Sequence, residues 1–354
     1  MTQLDAFLQA VKDDPDDDAP RLLLADWLEE QGDPRGEFIR VQCQLVRLMP
    51  YTPRRLELEQ REEQLLGRHG AGWLGPWKIA RHHHFHRGFL TVVIGAEEFW
   101  SGPCASDEAL AWVESLSLGN LQPSTAAEFG RSPFLNRLTS LTIVNPEFPP
   151  GTVAAVAASP HLSRLTTLDL RGGSIGVEGA AALAAGEHFT RLNRLRLVTS
   201  FLGPQAVSRI AQSPHLGRLT GLEICSAGLH DDSVLALTAS PYLTQLTSLD
   251  LNYNQIADAG AAALSRWPGL SVLTSLSLAG NLIGSDGAKA LASSPHLGRL
   301  EVLDLEENRV GAKGAAALAD SSHLTRLVAL GWKGNPVSAP QDAALHRRYR
   351  PFPC

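Results

Sequence analysis

One leucine frame, L-x-x-L-x-L, opens at Leu165, Leu192, Leu219, Leu246, Leu273, Leu300 and Leu327, each 27 residues after the last (192 − 165, 219 − 192 and onward). Two earlier copies open at Leu138, 27 residues before Leu165, and more loosely at Val113, 25 before Leu138. A fixed period of this length implies one supersecondary unit per copy. No unit can cover its own apolar side, so the copies must stack. In the copy from Leu273, Leu276 and Leu278 are two apart and share one strand face, pointing into the coil. Ser275, Ser277 and Ala279 then point the other way. Asn281 stands where the chain turns inward, and its amide can both donate to and accept from buried backbone. The alanine-rich stretch from Asp286 to Ser293 predicts a short helix that can lie close to the strands, and Pro295 ends it.

At 354 residues the chain exceeds the ~250–300 at which single compact cores stop growing, a limit that a solenoid escapes by extending along its axis. The net charge of −6, from 31 Lys+Arg against 37 Asp+Glu, argues against a basic nucleic-acid surface. Cys43, Cys104, Cys225 and Cys354 lie far apart without C-x-x-C spacing, which predicts reduced thiols and a cytoplasmic location. The first 25 residues lack a basic start and carry Asp5, Lys12 and a run of aspartates, so no signal peptide is expected. No apolar run reaches the ~18 residues of a membrane span, and no membrane partner is expected.

The region before the repeats reads differently. Phe7, Leu8 and Val11 mark a first helix, ended by the polar stretch from Asp13 to Asp18. Leu22, Leu23, Leu24, Trp27 and Leu28 mark a second, stopped by Gly32, and Phe38, Val41, Leu45 and Leu48 a third. Thr52 and Pro53 look like the cap and first residue of a charged helix to about Arg68, broken by Gly70, Gly72, Gly75 and Pro76. Phe89, Val92 and Ile94 echo the repeat frame and suggest a terminal cover. The expected division is therefore a helical domain at 1–48, a charged helix and linker at 49–84, a cap at 85–112, and repeats with a C-terminal cap at 113–354. Ser338 to Leu345 reads as the last helix, leaving Arg347, Arg348 and Arg350 on a tail.

Residues 113–335 resemble the leucine-rich repeats of the ribonuclease-inhibitor-like subclass. The resemblance implies an α/β horseshoe with parallel concave strands and convex helices, preceded by a small all-α module. Such folds serve as enzyme inhibitors, GTPase activators and immune sensors, so it leaves function open. The stretch from Phe7 to Gln42 resembles the repeat-companion domain of bacterial proteins, a small domain of no established activity. The matching positions are Asp14-Pro15-Asp16, Arg21-Leu22, Ala25-Asp26-Trp27-Leu28-Glu29-Glu30, Gly32-Asp33 and Arg35-Gly36-Glu37-Phe38-Ile39-Arg40. Leu24 departs from the pattern, where the family often has an aromatic residue.

Candidate chemistry is sparse. His82, His84 and His86 could share a strand face, but they would span roughly 13 Å, too wide for one tetrahedral zinc. His161, His188, His215, His296 and His323 recur with the repeat just past each helix, where helices ~8–10 Å apart keep them from sharing an ion. Asp14, Asp16 and Asp18 imitate a calcium loop, yet Ala19 and Ala25 stand where Gly and Glu are required. Cys225 is expected on the concave side without a neighbouring histidine to activate it. No phosphate loop or Ser-His-Asp order stands out. No catalytic residue, cofactor or metal is expected.

The inner strand face says more. Its central position reads Ser117, Thr142, Asp169, Arg196, Glu223, Asp250, Ser277, Asp304, Gly331, which at ~4.8 Å between strands makes a row. Arg171 and Arg194 beside Arg196 suggest a basic knot, and Glu223, Asp250, Asp304, Glu306 and Glu307 an acidic later half, with Asp250 and Asp304 expected to face solvent. The expected binding residues are Asp169, Arg171, Arg194, Arg196, Glu223, Asp250, Asp304 and Glu306. These features predict a non-catalytic, intracellular, protein-binding scaffold taking a basic segment of its partner. A regulator of an enzyme, such as a GTPase activator, is the alternative. A metal-dependent enzyme at His82–His86 is a remote one.

Overall fold

The computed structural model describes residues 2–149 and 151–351, and the chain divides into two compact units. The first is Met1–Val144 with Ser159–Leu165, the second Asn145–Ala158 with Thr166–Cys354.

The first unit opens with four helices, α1 (Gln3–Asp13), α2 (Asp18–Glu30), α3 (Arg35–Arg47) and α4 (Pro53–Leu65). Thr2 and Asp5 cap α1 reciprocally, which satisfies backbone donors that have no partner within the helix. A side chain at Gly36 would meet the Ala25 carbonyl at 2.5 Å, so α2 and α3 pack here with nothing larger than hydrogen. Leu8, Val11, Leu24, Ala25, Leu28, Ile39, Cys43 and Phe89 form the buried core of this packing. The helical path does not break at Gly70 or Gly72 as expected. It widens into a π turn over Leu66–Gly70, resumes at Ala71–Leu74, and ends at Gly75, whose φ of 50° leaves the helical region. Strands β1 (His82–His86) and β2 (Phe89–Gly95) form an antiparallel hairpin. Strands β3 (Val113–Gly119) and β4 (Ser140–Asn145) then add in parallel.

In the second unit, seven parallel strands follow in chain order: β5 (Thr167–Gly172), β6 (Arg194–Val198), β7 (Gly221–Cys225), β8 (Ser248–Asp250), β9 (Ser275–Ser277), β10 (Val302–Asp304) and β11 (Ala329–Gly331). The register places Leu168, Leu195, Leu222, Leu249, Leu276, Leu303 and Leu330 side by side, all buried. Return helices include Pro204–Ala211, Asp231–Thr238, Asp258–Arg266, Ser285–Ala292 and Ala312–Ala319.

Three sets of side-chain hydrogen bonds bind one repeat to the next, and one backbone conformation recurs with them. The Asn281 amide donates to Leu251, Leu278 and Ala279 carbonyls at 3.0, 2.9 and 3.2 Å and accepts from Ile256 N–H at 3.0 Å. Asn254, Asn308 and Asn335 repeat the pattern. Asp231 Oδ1 accepts from the Ala257 and Gly260 amides of the next repeat's helix at 2.8 and 2.9 Å, and Asp258 does the same for Gly284 and Gly287. Ser213, Ser240, Ser294 and Ser321 donate across to Ala184, Ala211, Ser265 and Ala292 carbonyls, each at 2.5 Å. Finally, Gly172, Thr199, Ser226, Tyr253, Gly280, Glu307 and Gly334, spaced by 27, all hold positive φ at the turn that follows the strand.

The C-terminal helix runs Ala339–Arg348, longer than expected, so Arg347 and Arg348 lie in it and not on a tail. Arg348 donates to the Ala319 and Ser321 carbonyls, at the place in the period that a serine holds in earlier repeats. Arg350 continues as a parallel bridge beside Ala329, receiving Leu330 N–H at 3.0 Å and donating to the Val328 carbonyl at 2.9 Å.

Candidate functional site

The parallel register sets Asp169, Arg196, Glu223, Asp250, Ser277, Asp304 and Gly331 in one row. The row is neutralised at one end and not at the other. Asp169 is 2% exposed. Its Oδ2 receives Arg171 Nε at 2.9 Å, Arg171 Nη2 at 2.6 Å and Arg196 Nη1 at 3.0 Å. Arg196 also grips Glu223 in a two-point pair, Nε to Oε2 at 2.5 Å and Nη2 to Oε1 at 2.9 Å. That bond with Glu223 holds the guanidinium above its ordinary pKa. The expected basic knot is thus an internal ion network, because two arginines flank one buried carboxylate through Oδ2, while its Oδ1 is buried without a hydrogen-bond partner. Asp169 is a hub beneath them and not a surface contact. Arg194 is exposed, with no carboxylate partner among the described residues.

Arg194, Arg196, Glu223 and Asp250 line a shallow cavity of about 330 Å³ with Thr220, Thr247 and Ser248. Asp169, Asp304 and Glu306 are not among its walls. Asp250 and Asp304 are half-buried, not the freely solvent-facing side chains expected. Asp250 Oδ1 accepts from Asn252 N–H at 3.0 Å and from the Cys225 thiol at 3.1 Å, and Asp304 Oδ1 from Glu306 N–H at 2.9 Å. Burial pushes both carboxyls above the usual aspartate range, with Glu223 adding at Asp250 and Glu306, Asp250 and Glu307 at Asp304. Among the described residues no cation pairs with Asp250, Asp304, Glu306 or Glu307. A backbone turn (Asp to the amide two residues on) recurs at Asp250 and Asp304 and folds each carboxylate inward.

Cys225 follows the strand face as expected but is buried. Burial, then Asp250, drives its thiol far above the usual cysteine range. Glu223, Cys225 and Asp250 place ligand-type atoms within 4.8 Å of one another. As they stand, Arg196 holds both Glu223 oxygens and the thiol keeps its proton, so the group is a hydrogen-bonded knot and not a set of free ligands. The histidine tract lies on β1, where His82, His83, His84 and His86 are all exposed. Among the described residues it gathers no such group. Cys43, Cys104 and Cys225 are free and buried, and Cys354 lies outside the described residues. No helix among the described residues is long and apolar enough to cross a membrane.

The family model described as Leucine Rich repeat matches residues 161–184, 242–265, 269–292 and 300–319. These segments are leucine-rich repeats. No curated protein matches the sequence. Similar solved structures include an internalin of Listeria monocytogenes, 15% identical over 70% of this chain and 76% of that one, with TM-score 0.40. The TLR13 chain of a TLR13–ssRNA13 complex is 18% identical over 70% of this chain and 31% of that one, with TM-score 0.39. A protein of Bacteroides fragilis is 12% identical over 72% of this chain and 85% of that one, with TM-score 0.40.

Proposed function

We propose that this protein is a non-catalytic protein-binding scaffold of the cytoplasm, whose strand face takes a basic segment of a partner. The repeats would be of the ribonuclease-inhibitor-like subclass, with residues 1–48 as an accessory repeat-companion module, 49–84 as a charged connection and 85–112 as a cap. One observation carries the reading. Asp169 and Glu223 in the row are already neutralised by Arg171 and Arg196, and Asp250 feels the charge of Arg196 without an ion pair, whereas Asp304 and the adjoining Glu306 and Glu307 have no ion-pair partner among the described residues. Carboxylates brought together without cations raise one another's charging cost, which a basic partner segment relieves. The binding residues proposed are Asp250, Asp304 and Glu306, with Arg194 and Arg196 at the far side. Asp169 and Glu223 hold Arg196 in place. Free buried thiols at Cys43, Cys104 and Cys225 suit a reducing compartment.

Affinity capture from native cells with the wild-type chain and with an Asp304→Asn/Glu306→Gln/Glu307→Gln variant tests this. The wild type should retain a protein through a lysine- and arginine-rich segment. The variant should associate about tenfold more slowly at low ionic strength, a gap that closes as salt rises. Equal capture by both chains at low salt would remove the binding site from this face.

A further inference from the structure

The first unit holds a cleft of about 840 Å³, within the size range of small-molecule sites. Trp73, Trp77, Trp112, Leu8 and Leu90 supply apolar walls, and Arg35 is the cation in them. Arg35 is 5% exposed. Its guanidinium carbon lies 3.5 Å from the centre of the Trp112 ring and 5.8 Å from those of Trp73 and Phe85. Such rings attract a cation but accept no strong hydrogen bond from it. The guanidinium's hydrogen bonding amounts to one long contact, Nη2 to the Gly88 carbonyl at 3.4 Å, and Nε is buried without a partner.

Two other buried cations of this unit have shorter bonds, although Arg21 also keeps Nε and Nη1 buried without a partner. Arg21, fully buried, reaches Glu114 at 3.0 Å and the Pro15 carbonyl at 2.7 Å. Lys12 donates to the Leu110 carbonyl at 2.8 Å. Arg35 alone of the three lines a cleft, and it has no carboxylate within ion-pair distance, only the more distant charge of Asp33. Burial draws its pKa down to about 9, which leaves it charged at neutral pH and costly to keep there.

We propose that this cleft is a binding site for a small carboxylic acid with an apolar, preferably aromatic, body, held by Arg35 and stacked among Trp73, Trp77 and Trp112. A planar carboxylate matches the guanidinium fork and carries one charge. A phosphate monoester would bring close to two charges beside Asp5, Asp107 and Glu108, which also line the cleft. Asp5 and Asp107 are held at Arg137, at 3.3 and 2.8 Å, and so do not serve Arg35.

Calorimetry on the full chain with 3-phenylpropionate, its amide and phenyl phosphate tests the site. One-to-one binding of the carboxylate is expected, with the amide at least tenfold weaker and phenyl phosphate weaker than the carboxylate. Arg35→Lys, which keeps charge but loses the fork, should weaken the carboxylate at least tenfold. Gly72→Phe fills the cleft from a wall position where an added side chain meets nothing within 4 Å, so the variant should fold and lose binding. If Arg35→Lys does not fold, the Gly72→Phe result decides. No saturable carboxylate binding, equal binding of acid and amide, stronger binding of phenyl phosphate, or unaltered binding by Gly72→Phe would each overturn the proposal.

Discussion

The repeats opening at Leu165, Leu192 and Leu219 and those opening at Leu246, Leu273, Leu300 and Leu327 share a frame but are joined by different means. In the later set a buried asparagine satisfies donors and acceptors from two repeats at once, as Asn281 does for Leu251, Ile256 and Leu278. In the earlier set the same place in the period is held by Gly173, Ser200 and Ala227. Ser200 reaches only the Leu170 carbonyl at 3.4 Å and the Val198 carbonyl at 3.3 Å, and Ala227 N–H borrows Asn254 from the next repeat at 3.0 Å. What the earlier set has instead is charge, in the network of Asp169, Arg171, Arg196 and Glu223. One region is stitched by asparagine side chains to its backbone and leaves the carboxylates of its strand row without ion-pair partners. The other spends its carboxylates on its own arginines.

The sharpest way to break this contrast is to remove the stitches. Asn281→Ala strands buried groups that have no water to turn to, and at ~1–3 kcal/mol per unsatisfied group should destabilise the chain by about 3 kcal/mol. Ser200→Ala loses two long bonds and should cost about 1 kcal/mol or less. Denaturant melts give both values, and amide exchange should be slower in residues 246–335 than in 165–240. Equal losses from the two substitutions, or equal protection of the two segments, would erase the distinction.

The next effect separates used from unused charge. Arg196→Met removes one of two arginines from buried Asp169 and strips Glu223, and should cost about 2 kcal/mol, less than a fully buried pair because the guanidinium is partly exposed. Asp304→Asn keeps an acceptor for Glu306 N–H while removing an unpaired charge, so it should stabilise the chain at neutral pH. Folded Asp304 holds its proton more tightly than the unfolded chain. Its contribution to stability therefore falls as pH rises from the ordinary value of 3.8 to the raised folded value, and is flat above. Thermal melts across that window should lose this slope in Asp304→Asn. A variant less stable than wild type at pH 7 would mean that the carboxylate is satisfied where it stands.

Much of this contrast is legible in the sequence, and the reasons for the remainder are physical. The leucine spacing fixes which strand positions share a face, so the row from Asp169 to Gly331 and the Asn254–Asn335 ladder follow directly from a period of 27. Alternation gives a side chain's direction but not its cover, which is why Asp169 reads as exposed until Arg171 and Arg196 close over it. Asp231 and Asp258 look like ordinary acidic residues of a first helical turn. Only the stacking distance reveals that each caps the following helix, and Gly260 and Gly287 mark that closeness, since a side chain on either would meet the capping oxygen at 2.6 Å. The cleft around Arg35 draws on residues from Thr2 to Trp112, a juxtaposition that local patterns do not carry.

The smallest effect concerns the positive-φ series, where two of the earlier repeats bear the same backbone cost with different compensation. A non-glycine residue in the left-handed region costs ~1–2 kcal/mol, and glycine gives back ~0.5–1 of that in chain entropy. At Ser226, with φ of 50° and a backbone bond to the Asn252 carbonyl at 3.1 Å, substitution by glycine should therefore gain about 0.5 kcal/mol. Thr199 has φ of 56°, but its hydroxyl accepts from Gly172 N–H at 2.9 Å and donates to the Val198 carbonyl at 2.6 Å. Losing those bonds offsets the relief, so Thr199→Gly should be neutral or slightly destabilising. Paired denaturant melts decide it. If Thr199→Gly gains as much as Ser226→Gly, the hydroxyl contributes nothing, and the earlier repeats rest on their ion network and leucine core alone.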